Sequence, residues 1–548
     1  MRRLPLLAIV VFGVLLWLVL YPNIFVLLDS LRSGGEWSLA AYGRFFDSRS
    51  ELRALWNSVW ISTASVILSG FIGVPLAFLF RADFPGSRTF GALASMPVLL
   101  PPLVGVIAFL FLYGEGGLLT RGVQMALGMS GSPWRLQGAG AILLVHAYTM
   151  YVYFYLFTSA ALARFDPALR EAAASLGASR FTTMTQVTLP MLAPAIGSAA
   201  LLVFMTSMGS FSAPYIFGGG FRVLTTQIFA SKLNGDLTIA AVETVLLAAV
   251  CLFFLFLIRR YEEARSYTGA GKGAVRAAAR VKHGWGWTLA AGAITVFLLL
   301  PHATVVLVSF VPEGTWTTEW LPPQYSLENY RAMFSGREAL RPILNSLQMA
   351  TLATIANVIL GMAAAYLLVR KNVKGRGLLN VLIALPWALP GTVLAIALAS
   401  TFSVNEPLQL RVLLIGTALI LPLAYFIRNI PLVTRAALTS FRQFDPALEE
   451  AAASLGAGRF RTMRQVALPL ILPGLIAGTM LAFVTALGEF VASILLYTHR
   501  TRPISMEILA QLRAFDFGAA SAYAVLLIVL MAGVFIAGYR AVGDEGIG

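Results

Sequence analysis

Few residues in this chain could do chemistry. Glu489 stands in an apolar run near 471 to 496, where a carboxylate is expensive to bury and marks a functional position by default. It could contact a cation or gate a pathway; alternatively it is tied to neighbouring helix ends or hydrated near the outer surface. His146 stands alone in another apolar run, which favours a hydrogen bond to a neighbour over metal ligation. Cys251 is the single cysteine and also lies in an apolar stretch, so neither a disulfide nor a cysteine metal site can form within the chain. Gly269-Ala270-Gly271-Lys272-Gly273 imitates a phosphate-binding loop, but Ser266 replaces its first glycine and Gly273 replaces the magnesium-binding hydroxyl. No catalytic residue is assigned, and no cofactor is expected in this chain.

The elements that must position these residues are membrane helices. With 58% hydrophobic and 12% charged residues and a mean hydropathy of +0.79, the apolar surface exceeds what soluble cores hide and calls for lipid. The net charge of +15 is not gathered into a face with aromatic platforms, which argues against nucleic acid as a partner. Apolar runs long enough to span roughly 30 Å of hydrocarbon fall near 5–28, 57–80, 93–113, 139–162, 191–216 and 237–258. A second six fall near 286–310, 345–369, 378–402, 411–432, 471–496 and 519–540. The expectation is an all-α polytopic protein with about twelve spans, its proline-rich third span (Pro97, Pro101, Pro102) kinked or broken. The first run has no clear cleavage site and reads as an uncleaved span. Loops rich in Arg and Lys, among them Arg81, Arg88, Arg164, Arg370, Lys374, Arg428 and Arg435, alternate with loops of mixed sign. This predicts a multi-pass protein with both termini in the cytoplasm. The domains are 1–258, a basic linker at 259–285 and 286–548.

An internal repeat organises the chain. Phe165 to Pro190 and Phe444 to Pro469 align without gaps and differ only at 170, 179, 182, 185 and 188, so they descend from one unit. The register continues through Phe204/Phe483, Thr206/Thr485, Gly209/Gly488 and Phe211/Phe490, and sets Ser210 opposite Glu489. Asn57-Ser58 matches Asn345-Ser346. An even number of spans per copy gives both the same orientation, with a pathway between them. In each copied loop an Asp (Asp166, Asp445) caps a short helix, with proline at its first turn. Gly177 or Gly456 ends that helix, and a second short helix is expected before Pro190 or Pro469. The product is a helix-turn-helix knob that a partner's groove could receive; a linker lying on lipid headgroups is the plainer alternative.

Glu171, Ala172, Ala173, Gly177, Val187, Leu189 and Pro190, repeated as Glu450, Ala451, Ala452, Gly456, Val466, Leu468 and Pro469, resemble the EAA loop of permeases of binding-protein-dependent ATP-binding-cassette importers. Valine stands where that motif more often has isoleucine. The resemblance implies two tandem six-helix type I importer (MetI-like) domains in the bacterial inner membrane. It further implies that Glu171 and Glu450 contact ATPase subunits, two copies in all, which bind ATP and magnesium, and that an extracytoplasmic solute-binding protein supplies the cargo. The fused halves, with the segments at 113–122, 211–229 and 488–505, look most like ferric-iron permeases; thiamine, phosphonate, polyamine, sulfate and molybdate permeases are related. An ion-gradient-driven transporter with parallel repeats is the alternative class, disfavoured by the scarcity of intramembrane charge beyond Glu489.

Overall fold

The computed structural model describes residues 3–33, 35–166, 168–264, 284–316, 319–370, 373–403, 412–443 and 445–542. Among them, ten helices are long and apolar enough to cross a membrane, and one bent pair makes an eleventh. The first half carries α1 (Leu6–Ser30), α2 (Arg49–Arg81), α3 (Pro102–Tyr113), α4 (Gly138–Ala163), the loop helix α5 (Ala168–Ser175), α6 (Leu189–Met208), the short α7 (Ser212–Phe217) and α8 (Leu224–Leu233), and α9 (Leu237–Ala264). The second half repeats the order with α10 (Trp285–Val308), α11 (Arg337–Arg370), α12 (Arg376–Ala388), α13 (Gly391–Thr401), α14 (Ile420–Gln443), α15 (Pro446–Ser454), α16 (Leu468–Leu487), α17 (Val491–Leu496), α18 (Ile504–Arg513) and α19 (Phe517–Val542).

Four features depart from the expected spans. The third span is broken in the first half, as its prolines predict, but it is broken in the second half too, because a residue preceding proline is driven to extended backbone. Leu100, before Pro101, has ψ 121°, and Leu389, before Pro390, has ψ 140°; α12 and α13 meet at 105°. The tenth span starts at Ile420, later than the expected 411; residue 411 lies outside the described residues. Its arginines, Arg428, Arg435 and Arg442, lower its hydropathy, yet it is packed as tightly as its repeat partner α4. The fifth and eleventh spans end at Met208 and Leu487 and do not run on to 216 and 496. Finally, α9 continues to Ala264, past the expected boundary at 258, and α10 starts at Trp285; most of the expected linker, 265–283, lies outside the described residues.

Within each half three helices form the packed body: α2, α4 and α6, and correspondingly α11, α14 and α16. Close approach there depends on small residues. A Cβ on Gly73 would sit 2.3 Å from the Tyr151 carbonyl oxygen, and one on the repeat-related Gly361 would sit 3.1 Å from the Thr434 nitrogen. The Asn-Ser pairs organise the loops before α8 and α18. Asn57 Nδ2 donates to Arg222 O at 2.8 Å, and Ser58 Oγ accepts the Leu224 N–H at 2.7 Å. Asn345 Nδ2 donates to Arg502 O at 2.9 Å, and Ser346 Oγ accepts from Ile504 N–H at 2.8 Å. In each pair the serine supplies an acceptor that a helix start otherwise lacks, and the asparagine donates to a carbonyl of the preceding loop.

The halves are intertwined through their first helices. Residues of α10 pack on α3 of the first half, and the end of α1 packs on α13 of the second. Tyr148 donates to Leu298 O at 2.5 Å, and Trp17 meets Phe402 edge-on at 6.0 Å. The outside is apolar: Phe71 is 79% and Ile359 68% exposed, as a surface facing lipid tails must be.

Candidate translocation gate and coupling loops

The two copied loops build knobs with the same capping and closing hydrogen bonds. Asp166 Oδ1 accepts the Ala168 N–H at 2.9 Å, and Asp445 Oδ1 accepts the Ala447 N–H at 2.9 Å; side-chain acceptors of this kind satisfy the unpaired first turn. Pro446 opens α15, whereas Pro167 lies outside the described residues. At the other end Gly177 and Gly456 have φ of 80° and 81°. Ala178 N–H reaches Ala173 O at 3.0 Å while Gly177 N–H reaches Ala174 O at 2.9 Å, and Ala457 and Gly456 repeat the pattern. This paired closure needs a left-handed residue, for which glycine carries no steric penalty.

The knobs present an apolar tip. Leu176 and Leu455 are each 89% exposed, and Phe181 and Phe460 are 77% and 79% exposed. Glu171, Ala172, Glu450 and Ala451 are exposed beside them, with Ala173 and Ala452 half-buried. The expected separate helix before Pro190 or Pro469 is not separate. Wide π turns at Met184–Thr188 and Met463–Ala467 carry the chain directly into α6 and α16. A proline ring clashes with the carbonyl four residues back, and the widened turn moves that carbonyl aside. The arm of each knob that follows its glycine turn, from Arg180 or Phe460, is thus continuous with a membrane helix.

The knobs differ in their contact with the bundle. Glu449, in the place of Arg170, takes an ion pair from Arg370 at the end of α11, at 3.1 Å.

Deeper in the bundle, the positions that follow α6 and α16 meet across the repeat axis. Gly209 ends α6 and Gly488 ends α16. A Cβ on Gly209 would lie 3.4 Å from Pro390 Cβ, and one on Gly488 would lie 3.4 Å from Pro101 Cβ. Each half therefore rests its helix end against the break in the other half's third span. Next in sequence, Phe211 and Phe490 meet each other, ring centroids 6.0 Å apart, and both are 1% exposed. Repeat-related aromatic rings thus close the centre of the bundle.

Ser210 and Glu489 flank this aromatic pair, and both are half-buried. Glu489 is not inside a continuous span. It sits in the break before α17, where its Oε1 accepts the Ala492 N–H at 3.0 Å. Its carbonyl accepts from Ser493 Oγ at 2.7 Å and Ser505 Oγ at 2.9 Å. Ser210 Oγ pairs with His146 Nε2 at 2.8 Å, while Ser65 and Ser207 contact His146 Nδ1 at 2.9 and 3.2 Å. His146 is thus a hydrogen-bonding core residue, and Cys251 is a buried thiol.

Arg428 is the residue that sequence reasoning misplaced. Counted as a loop arginine, it lies inside α14, half-buried, and its Nη1 donates to Pro386 O at 2.8 Å and Leu389 O at 2.7 Å. The repeat register held the signal: it pairs Arg428 with Thr149 just as it pairs Glu489 with Ser210.

Comparison with known proteins agrees with this organisation. The profile of the binding-protein-dependent transport system inner membrane component family matches residues 69–266 and 357–542, one segment in each repeat. A relative named Probable ABC transporter permease protein y4fN, from Sinorhizobium fredii, is 30% identical over 96% of this chain and 93% of its own length. A ferric transport system permease protein of Actinobacillus pleuropneumoniae is 26% identical over 96% of this chain and 77% of its own. A sulfate transport system permease protein of Salmonella typhimurium is 33% identical, but covers 44% of this chain and 87% of its own length.

Proposed function

This chain belongs to the family of binding-protein-dependent transport system inner membrane components, and from that premise we propose that it is the two-domain permease of an ATP-driven ferric-iron importer. As an ABC importer permease it is a multi-pass protein of the inner membrane. The knobs α5 and α15 face the cytoplasm in this reading, as the distribution of basic loop residues suggests. Each would dock one copy of a separate ATPase subunit, which holds ATP and magnesium. The opposite face would receive a solute-binding protein. The single observation that carries the reading is the duplicated knob, an exposed apolar tip whose second arm runs without a break into the helix that ends at the central gate.

The mechanism follows from that continuity. When the ATPase subunits close on ATP, they drive the knobs together, and α6 and α16 move with them because the second arm of each knob, from Arg180 or Phe460, runs into them without a break. The helix ends at Gly209 and Gly488 then withdraw from Pro390 and Pro101, parting Phe211 from Phe490. The packed bodies α2–α4–α6 and α11–α14–α16 keep each half nearly rigid during this rocking.

Iron is supported by a relative that spans both halves: the ferric permease from Actinobacillus pleuropneumoniae aligns over 96% of this chain. The sulfate relative favours a second reading, an oxyanion cargo, although it aligns with less than half of the chain. Proteoliposomes containing this chain, its ATPase and its binding protein distinguish them. Ferric-loaded binding protein should raise ATP hydrolysis and drive iron uptake; stimulation by sulfate, molybdate, thiamine, phosphonate or a polyamine in its place removes iron from the proposal.

The turn glycines give a further expectation. Valine at both 177 and 456 would force β-branched residues into left-handed backbone at about 1–2 kcal/mol each, loosening the knobs. Uptake should fall several-fold with membrane insertion unchanged, measured by radiolabelled solute uptake against the amount of inserted protein. Unchanged uptake would remove the knobs from the coupling path.

A further inference from the structure

Two acids of the first half are buried at the end of the bundle away from the knobs. Glu51 in α2 and Glu243 in α9 lie within spans and are 8% and 0% exposed. Both meet one face of α8. Gln227 Nε2 donates to Glu51 Oε1 at 2.7 Å, and Ser231 Oγ, one turn further along that helix, donates to Glu243 Oε1 at 2.8 Å. The two carboxyl groups lie within hydrogen-bonding reach of each other. Each keeps its second oxygen, Oε2, buried and without a partner.

The second half shows the same two positions in contact. Glu51 stands six residues before Asn57, as Ala339 stands before Asn345. Glu243 stands seven residues after Asp236, as Tyr523 stands after Asp516, and both aspartates cap their helix, at Ile239 and Ala519. Tyr523 Oη donates to Ala339 O at 2.9 Å. There the acid is on α18 instead: Glu507, in the place of Gln227, pairs with Arg502 at 2.8 Å. The first half's matching arginine, Arg222, reaches only Gln227 Oε1, at 3.3 Å. Asp236, the other charge acting on Glu243, is paired with Arg44 at 3.0 Å. Lys232 of α8 turns away to Leu495 O in the second half. Among the described residues, no Lys or Arg side chain forms an ion pair with Glu51 or Glu243.

Two adjacent buried anions would repel each other, and each would lose its hydration. One proton between them removes a charge and gives both orphan oxygens a partner, in a single charge-assisted O–H···O⁻ bond. A magnesium or calcium ion would need several further oxygen ligands; for a proton the two free oxygens suffice. We propose that Glu51 and Glu243 form a proton-binding site, a carboxyl–carboxylate pair that clamps α8 to α2 and α9. The clamp matters beyond the first half, because α8 extends Lys232 to α17, the helix that follows Phe490. In these places the second half uses an ion pair and a tyrosine hydroxyl, so the proton site belongs to one half of the bundle.

The site depends on neither the cargo nor the energy source, and the full chain in lipid vesicles tests it. Infrared difference spectra, parent minus E51Q/E243Q and parent minus E243Q, should contain a protonated-carboxyl C=O stretch that shifts in deuterium oxide. E243Q alone keeps the test decisive if the double variant fails to insert, because its amide N–H can donate to Glu51 where the proton was. Carboxylate bands alone would overturn the site. Loss of the stretch on adding sodium, potassium, magnesium or calcium ions would also overturn it, marking a metal site in its place. Amide hydrogen exchange reads the clamp itself. Exchange in α8 should be near the parental rate in E243Q and about tenfold faster in E243A, which leaves the free oxygen of Glu51 facing a void. Equal protection of α8 in E243Q and E243A would overturn the clamp.

Discussion

Aspartate at both Leu176 and Leu455 should abolish ATP-driven uptake while leaving the chain folded in the membrane. Both leucines are 89% exposed at the tips of the knobs, so their replacement removes no internal packing, and exposed substitutions of this kind usually change stability by less than about 0.5 kcal/mol. In a partner's groove the same side chains are worth about 1.5–3 kcal/mol each. Losing both costs about 3–6 kcal/mol, or roughly two to four orders of magnitude in affinity, before the added cost of burying carboxylates. Co-purification of the ATPase with this chain measures the effect directly. Retention of the ATPase by the double variant would show that the knobs are not its dock.

Alanine at both Phe211 and Phe490 should leave a permeable pathway. The two rings face each other across the repeat axis, almost wholly buried, and truncating a buried Phe typically costs about 3–5 kcal/mol through lost contacts and the cavity left behind. That cost falls on the closed state, in which the rings meet, and far less on an open state in which they have parted. If even about half of one ring's share shifts the equilibrium, the open population rises more than tenfold. Solute leak from proteoliposomes without ATP should rise accordingly. A vesicle that stays sealed would move the gate elsewhere.

The repeat, the span count and the knobs are legible in sequence because each leaves a pattern that survives without the third dimension. Capping by Asp166 and Asp445 and closure by Gly177 and Gly456 follow from local rules, and the geometry of both loops follows them. The gate leaves no such pattern. A helix end at Gly209 or Gly488 inside an apolar run does not alter hydropathy, so Glu489 reads as mid-span when it lies at a break. Arg428 reads as a loop residue because charge counting assigns arginines to loops, whereas the carbonyls at Pro386 and Leu389 give it a place inside the bundle. Pro190 and Pro469 read as helix stops, and the π turns that absorb them depend on a continuous helix on both sides.

Energy source is the most direct test of the central claim. Uptake should be followed in proteoliposomes that contain this chain, its ATPase and its loaded binding protein, with ion gradients collapsed by ionophores and ATP supplied on the knob side. Uptake that persists under these conditions, and stops when ATP is withheld, is the expected result. Uptake that needs an ion gradient and proceeds without ATP would contradict the reading of this chain as an ATP-driven importer permease.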